Sequence, residues 1–410
     1  MATKKKLSEK ERKAKKESEK VPVTERGSIS DLIASINSKA KMQVIQRASD
    51  MNTSYLLRRP CGITSLDIAL GGGFPASAIT VFVGPDGSGK DYLLWKTAAE
   101  VQKIYGDNFA MAVFLTEFKA DKRFMRDFCG LEIAFSDEEL DEYDEVMVKH
   151  GRPILTDEER ESMKTQTGEI LIIDGVTAER GFDAIMAVVQ DNRFQIVVVN
   201  SVGSLQTEAK ESLDSFEDFA RQSSEATLLS AFIPKLSMTM NNSSNGRNET
   251  AVFIVNQMRS KRDGAPVRGR PVTERDKYEP GAKSWALKHG KAIEITLHKG
   301  PFVYDQDKEK VGRTTRWELT KGKLGTHDGK VGEFDFYYND GVDVLGDLIN
   351  TCKALEVVSD GRYIEYVHDE FGFKVNGRDN MRVKLIQSPE LVAHLRERCF
   401  EASEILFRHS

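Results

Sequence analysis

The stretch Val81-Phe-Val-Gly-Pro-Asp-Gly-Ser-Gly-Lys-Asp-Tyr92 decides the fold. Three apolar residues of high strand propensity enter a glycine-rich turn, and Leu93, Leu94, Ala98 and Val101 continue at helical spacing. Gly84, Pro85, Asp86, Gly87, Ser88, Gly89 and Lys90 fill the phosphate-loop template G-x-x-x-x-G-K up to its last place. In that template main-chain N–H groups line a concavity at a helix N-terminus, and the lysine reaches the outer phosphates. Glycines serve there because a Cβ would fill the space a phosphate oxygen needs. The eighth place calls for a Ser or Thr hydroxyl on Mg²⁺; here it is Asp91, followed by Tyr92.

The rest of the chain gives that motif a setting. A length of 410 residues with 40% hydrophobic content allows one large domain with attachments, or two domains. The net charge of −5 carries no global signal for nucleic acid, so any DNA contact must come from local basic segments. Cys61, Cys129, Cys352 and Cys399 are widely spaced and form no C-x-x-C pair, which fits reduced core thiols in a cytoplasm. No run of about 18 apolar residues exists, and the N-terminus lacks the apolar stretch of a signal peptide. The expectation is a soluble cytoplasmic protein with no membrane partner.

Residues 1–27 form a basic arm expected to be disordered, with nine Lys/Arg against four Glu in its first 20 residues. Residues 28–50 are read as a capped leader helix (Ile29, Leu32, Ile33, Ile36) and a linker with a short apolar stretch at Met42, Val44 and Ile45. From 51 to 343, strand-like runs at Ile79–Val83, Met111–Leu115, Ile170–Ile173, Ile196–Val199 and Ala251–Val255 alternate with helical patterns. That alternation predicts an α/β fold with a mostly parallel sheet flanked by helices, whose strand C-terminal ends face the ligand. Residues 132–168 interrupt it with eight acids between Glu132 and Glu145 and a second cluster at Asp157–Glu161. Capping-box patterns at Ser136/Glu139 and Thr156/Glu159 make this an inserted helical hairpin. Later strands are expected at Ala292–Leu297, Thr315–Leu319 and Phe334–Tyr338, and 344–410 as a small α+β terminal module closing on a helix from Pro389 to Phe407.

Three strand ends add chemistry to the phosphate loop. Glu117 follows the second run, where a carboxylate can orient a water for in-line attack. Asn200 stands at the place of a metal-coordinating strand residue, with an amide for the usual Asp. Gln257 ends the last parallel strand with an amide able to hydrogen-bond a phosphate. After it, Arg259 to Lys283 holds eight Lys/Arg (Arg259, Lys261, Arg262, Arg268, Arg270, Arg275, Lys277, Lys283) against four acids, with little apolar periodicity. Such a basic loop neutralises phosphates without reading bases. Arg221 is a further candidate phosphate contact.

In this order the motifs resemble the RecA family of homologous-recombination ATPases, in particular its diverged phage-type members. The resemblance starts at Gly62-Ile-Thr-Ser-Leu-Asp-Ile-Ala-Leu-Gly71 and continues through Glu117, Asn200-Ser201, Asn256-Gln257-Met-Arg259, Pro280 to Leu287, and Tyr338 to Asp343. It covers roughly residues 30 to 400 apart from the acidic insertion. It implies ATP and Mg²⁺ as cofactors, Glu117 as the catalytic carboxylate and Gln257 as the link from γ-phosphate to the basic loop. It implies adenine contacts from Asp121, Phe124 and Tyr338, and paired lysines, Lys321 and Lys323, reaching a neighbouring subunit's triphosphate. It also implies a first DNA loop at Thr207–Phe216 and a duplex contact from the terminal module. Partners are then single- and double-stranded DNA, further copies in a head-to-tail helical filament, a single-strand-binding protein and a mediator, in the host cytoplasm if the gene is a phage's.

Two departures from the family pattern complement each other. The loop hydroxyl has become the carboxylate of Asp91, and the strand carboxylate has become the amide of Asn200, so the formal charge around the metal is conserved. Asp91 is read as the metal's oxygen donor, with Asn200 bonded to a metal-bound water or to Asp91 itself. The function expected is an ATP-dependent recombinase that forms filaments on single-stranded DNA and promotes pairing and strand exchange. Two alternatives stand beside it: a nucleotide-gated DNA-binding filament protein with little hydrolysis, and a ring helicase or loader on the same core.

Overall fold

The computed structural model describes residues 28–41, 43–51, 53, 56–117, 121–208, 224–241, 248–260, 278–280 and 284–403. The chain divides into two units, Met1–Asn52 and Thr53–Ser410. In the first, α1 (Ile29–Ala40) opens on a reciprocal box: Asp31 N donates to Ser28 Oγ and Ser28 N to Asp31 Oδ2. Asn37 then accepts from Val44 N and Ile45 N at 2.8 and 3.0 Å, which folds the apolar stretch back along the helix. The expected arm at 1–27 lies outside the described residues.

The second unit begins with β1 (Arg58–Arg59), α2 (Thr64–Ala69), β2 (Phe74–Pro75), β3 (Ile79–Gly84), α3 (Lys90–Tyr105) and β4 (Ala110–Leu115). The acidic insertion follows as α4 (Asp137–Lys149) and α5 (Asp157–Met163), both closed by the expected capping boxes. Then come β5 (Glu169–Ile173), α6 (Ala178–Asp191), β6 (Ile196–Asn200), α7 (Ser224–Asn241), β7 (Ala251–Ser260), β8 (Tyr278–Pro280), α8 (Trp285–Gly290), β9 (Ile293–Tyr304), β10 (Lys310–Lys321), β11 (Val331–Tyr337) and β12 (Gly341–Val342). The terminal region holds α9 (Val344–Ala354), β13 (Ser359–Asp360), β14 (Ile364–Tyr366), β15 (Phe373–Val375), α10 (Gly377–Gln387) and α11 (Pro389–Ala402).

The main sheet runs β12-β11-β10-β9-β3-β7-β6-β4-β5, with β8 pairing the end of β7. Strands β9, β3, β7, β6, β4 and β5 are parallel to one another; β10, β11 and β12 continue antiparallel. The period of two sorts residues onto two cores. Phe82, Val113, Val198 and Phe253 face α3, and Val81, Phe114, Val199 and Ile254 face α6 and α7. Phe74, Phe82 and Phe253 meet tilted or edge to face with centroids 5.3 to 5.4 Å apart, the geometry their quadrupoles favour. A third core gathers Leu348, Ile349, Cys352, Leu391, Leu395 and Cys399 in the terminal region. The four cysteines are all free and buried.

Two strands differ from the sequence reading. β9 runs seven residues past Leu297 to Tyr304 and β10 begins at Lys310. β9 runs through Lys299-Gly300-Pro301 although Gly and Pro weaken a strand. The register with β10 shifts between Arg313 and Thr315 instead, and Gly300 leaves room for Thr314 O, 2.7 Å from where a Cβ would stand. The final helix is described to Ala402, and its expected end at Phe407 lies outside the described residues.

The segment before the phosphate loop is anchored by two carboxylates. Asp67, at 0% exposure, accepts from Cys61 N, Gly62 N and the guanidinium of Arg396 on α11. Glu100 on α3 lies under Gly62 and accepts from Lys96 and Lys103 at 2.7 and 3.1 Å. Burial alone would raise its carboxyl, but the two ammonium groups override that and hold it down, from 4.5 to about 2. A folded-state value below the unfolded one stabilises the fold above pH 4.5, and that stability is lost as the pH falls toward about 2. Glu100→Gln is expected to cost up to about 3 kcal/mol at neutral pH and to flatten the urea midpoint between about pH 5 and pH 2. An unchanged acid slope in the variant would contradict this assignment.

Candidate active site

β3 delivers the chain into the glycine turn at the C-terminal edge of the parallel strands. A Cβ on Gly84 would lie 2.5 Å from Ser88 Oγ and 2.7 Å from Leu297 O, so the loop closes only over glycine. Gly87 and Gly89 hold φ of +64° and +89°, the left-handed region, and Gly89 is the N-cap of α3. The first helical bond, Leu93 N to Gly89 O, leaves the N–H groups of Lys90, Asp91 and Tyr92 directed to the anion site. Lys90 Nζ bonds Gly84 O and Pro85 O, both at 2.9 Å, so its charge stands inside the loop. Burial lowers its pKa, while Asp91, Asp86 and Glu117 pull it back up.

Asp91 and Asn200 meet. Asn200 Nδ2 donates to Asp91 Oδ1 at 3.1 Å, joining the first turn of α3 to the end of β6. Surrounding protein raises the Asp91 carboxyl above its ordinary value, although its tip is exposed; Lys90 and Asn200 oppose that shift.

Glu117 is held from three sides. Gln257 Nε2 donates to its two oxygens at 2.8 and 2.9 Å, and the hydroxyls of Ser201 and Ser204 donate to Oε1, the latter at 2.9 Å. Thr116 Oγ1 accepts from Ser201 N and donates to Ser201 O, so the ends of β4 and β6 are locked side by side. Gln257 pairs in register with Gly84. A carboxylate fixed by so many donors is suited to orienting a water. Beyond Gln257, Met258, Arg259 and Ser260 pair with Pro280, Glu279 and Tyr278, forming a ribbon that leads away from the site and returns to α8.

The remaining candidate residues divide. Tyr92 turns only its main-chain N–H to the phosphate loop: its side chain is buried, packs edge-on against Phe124 and Phe336, and its hydroxyl accepts from Val342 N at 3.0 Å. The reason is helical phase, since the residue two after Lys90 faces inward. Burial pushes its phenol up to about 12. Tyr92 nevertheless joins Phe124 to β11 and β12, whose connecting turn carries the exposed Tyr338. Asp121 uses one oxygen to accept from Arg123 N and Phe124 N, capping the short π-turn Phe124–Phe128. Lys321 Nζ bonds Lys288 O and His289 O at 2.7 and 3.5 Å, and Lys323 stands exposed two residues on. Arg259 is described only in its main chain, while Arg221, Lys261, Arg262, Arg268, Arg270, Arg275, Lys277, Lys283 and most of Thr207–Phe216 lie outside the described residues.

Two groups escaped the sequence reading. Ser204 lies in a turn with no motif of its own. Lys299 places its Nζ 3.5 Å from where a Cβ on Gly87 would stand. Because β9 pairs with β3 in parallel as far as Thr296, Lys299 lies just past the end of that pairing on the ligand edge, beyond the expected strand Ala292–Leu297, which was the available signal. Its exposed ammonium is expected to strengthen nucleotide binding, and Lys299→Ala to weaken it about 3- to 10-fold, an effect that shrinks in high salt. Titration with a fluorescent adenine nucleotide at two salt concentrations reads this; a salt-independent loss would exclude a charge contact.

The glycine cradle, the enclosed lysine and the carboxylate beside it fit a nucleoside triphosphate with a divalent cation. Among the described residues no helix is long and apolar enough to cross a membrane.

No protein-family model matches the chain. Curated relatives do. The chain is 26% identical to Protein RecA of Geobacter metallireducens over 348 residues, 84% of this chain and 85% of that protein. It is 25% identical to Protein RecA of Levilactobacillus brevis over 356 residues, 86% of this chain and 79% of the other. It is 26% identical to that of Enterococcus faecium over 339 residues, 82% and 80%. A crystal structure of the RadB recombinase, 20% identical and covering 68% of this chain and 95% of its own, superposes with a TM-score of 0.37, too loosely to carry an argument.

Proposed function

Because the chain is a homologue of the RecA proteins over more than four-fifths of its length, we propose that it is an ATP-dependent recombinase. In this reading it assembles on single-stranded DNA and promotes homologous pairing and strand exchange. The observation that carries the proposal is the bond between Gln257 and Glu117, at the point where β7 leaves the site for the basic segment.

The glycine turn and the first N–H groups of α3 would hold the triphosphate, with Lys90 and Lys299 neutralising it. Asp91 would offer oxygen to Mg²⁺, which spreads the phosphates' charge when bound. Glu117 orients the attacking water. Gln257 has one amide nitrogen, already shared between the two Glu117 oxygens, so a phosphate that engages it must draw it from the carboxylate. That movement pulls on Met258 and hence on the ribbon around the basic segment. Phe124 and Tyr338 would flank the base, with Tyr92 positioning both. Lys321 and Lys323 would contribute across a subunit boundary.

Self-assembly has support at two exposed places. Val44 and Ile45 are exposed in the leader, and Leu171 and Ile172 on β5, an edge strand. An apolar segment of one copy laid on the sheet edge of the next makes a heterologous contact that propagates as a helix. The low-hydrolysis alternative rests on Asp91, whose carboxylate repels phosphates when no metal is bound.

Phosphate release measured with and without single-stranded DNA tests the proposal. Stimulation by DNA, together with tighter DNA binding when ATP is present, is the expected result. Oligonucleotide affinity that ignores adenine nucleotide would overturn it.

A further inference from the structure

We propose that Trp285 is a stacking platform for a base of the bound single strand, with His289 and Lys288 packed against its ring; this rests on the DNA-binding reading above. Trp285 is 74% exposed, more than any other aromatic side chain among the described residues. It is not a lone apolar side chain. The His289 ring lies near-parallel to it, at 11° and 5.5 Å between centroids, and Lys288 Nζ stands 5.0 Å from its centroid. Indole, imidazole and ammonium thus share one solvent-facing side of α8.

Placement gives this cluster its occupant. α8 begins five residues after β8, and β8 is paired with the end of β7 immediately beyond Gln257. The cluster is therefore at the foot of the ribbon that leads into and out of the basic segment. The helix also ends on Lys321, whose Nζ caps Lys288 O. Lys288 and His289 offer cationic and hydrogen-bonding groups beside a flat π-face, and the nearby Glu294 is engaged by Lys291. A nucleobase with its phosphate matches that combination: the base lies on the indole and the phosphate meets the ammonium. Stacking of this kind tolerates any base, as a protein that coats arbitrary sequence requires. The basic segment alone would grip phosphates only; Trp285 adds a contact that needs a base.

The chain's own fluorescence tests this. Of its three tryptophans, Trp95 and Trp317 are buried, at 4% and 3% exposure, so emission that acrylamide can quench reports Trp285. The full-length protein, with Mg²⁺ and a non-hydrolysable ATP analogue, is titrated with an oligo(dT) and with an abasic oligomer of equal length. Binding is followed separately by anisotropy of a labelled strand. Oligo(dT) is expected to quench Trp285 and shield it from acrylamide, while the abasic strand binds without doing so. Trp285→Ala is expected to bind oligo(dT) about 5- to 100-fold more weakly, with Trp285→Phe recovering most of the loss. Both variants should keep wild-type melting and abasic-strand affinity. If wild type binds oligo(dT) but its emission is unchanged and Trp285→Ala binds equally well, the platform is refuted and the recombinase reading stands. If no strand binds in the presence of nucleotide, that reading fails and takes the platform with it. An emission change that follows protein concentration without any oligonucleotide would assign Trp285 to a neighbouring copy and refute the proposal.

Discussion

Asp91→Thr is expected to lower ATP hydrolysis by about 100-fold, Asn200→Asp by about 10-fold, and the two together to return it to within about threefold of wild type. The reason is the 3.1 Å bond between Asn200 Nδ2 and Asp91 Oδ1. Replacing the amide by a carboxylate sets two anions where a donor and an acceptor now meet, beside phosphates that repel both. Replacing Asp91 by Thr removes a carboxylate whose charge acts on Lys90 and leaves an amide facing a hydroxyl, with no charged oxygen for the metal. The double change moves the negative group to β6 and restores the hydroxyl to α3, so the pair is again one anion and one neutral partner. Steady-state phosphate release across a Mg²⁺ series measures it. Single variants that hydrolyse like wild type would mean the exchange has no functional consequence, and a double variant no better than the worse single would break the pairing.

Glu117→Gln is expected to reduce DNA-stimulated hydrolysis by about 100-fold or more while leaving nucleotide binding within about threefold. The side chain is the same size, and the Ser201 and Ser204 hydroxyls can still donate to its amide oxygen. The neighbourhood should therefore survive and the loss should reflect the missing carboxylate. One bond does change: Gln257 now bridges both oxygens and would face an amide nitrogen on one side. Weaker holding of Gln257 at Glu117 frees it for a phosphate, so the variant should keep its grip on single-stranded DNA with ATP longer than wild type does. Single-turnover hydrolysis and filter-retained DNA in parallel separate the two effects. A variant that hydrolyses normally would remove Glu117 from the chemistry.

Much of this was legible in order along the chain. The glycine turn, Glu117, Asn200 and Gln257 each follow an apolar run, and parallel strands put all such residues on one edge. The direction of single side chains was less legible. Tyr92 sits next to the phosphate loop in sequence, yet helical phase turns it into the core, where its hydroxyl meets Val342 N, 250 residues away. Lys299 was hidden for the opposite reason: it lies beyond the strand expected at Ala292–Leu297, and only the pairing of β9 with β3 brings it to the ligand edge.

Local pattern suffices for the α/β class, the phosphate cradle and the capped acidic hairpin, because glycine steric freedom, strand periodicity and capping boxes act over a few neighbouring residues. It takes the folded chain to reveal that Gln257 and the two serines hold Glu117, that Asn200 meets Asp91, and that an exposed Trp285 stands at the foot of the basic ribbon. Those contacts join residues some 84 to 140 positions apart, and strand order, which no local pattern encodes, brings them together.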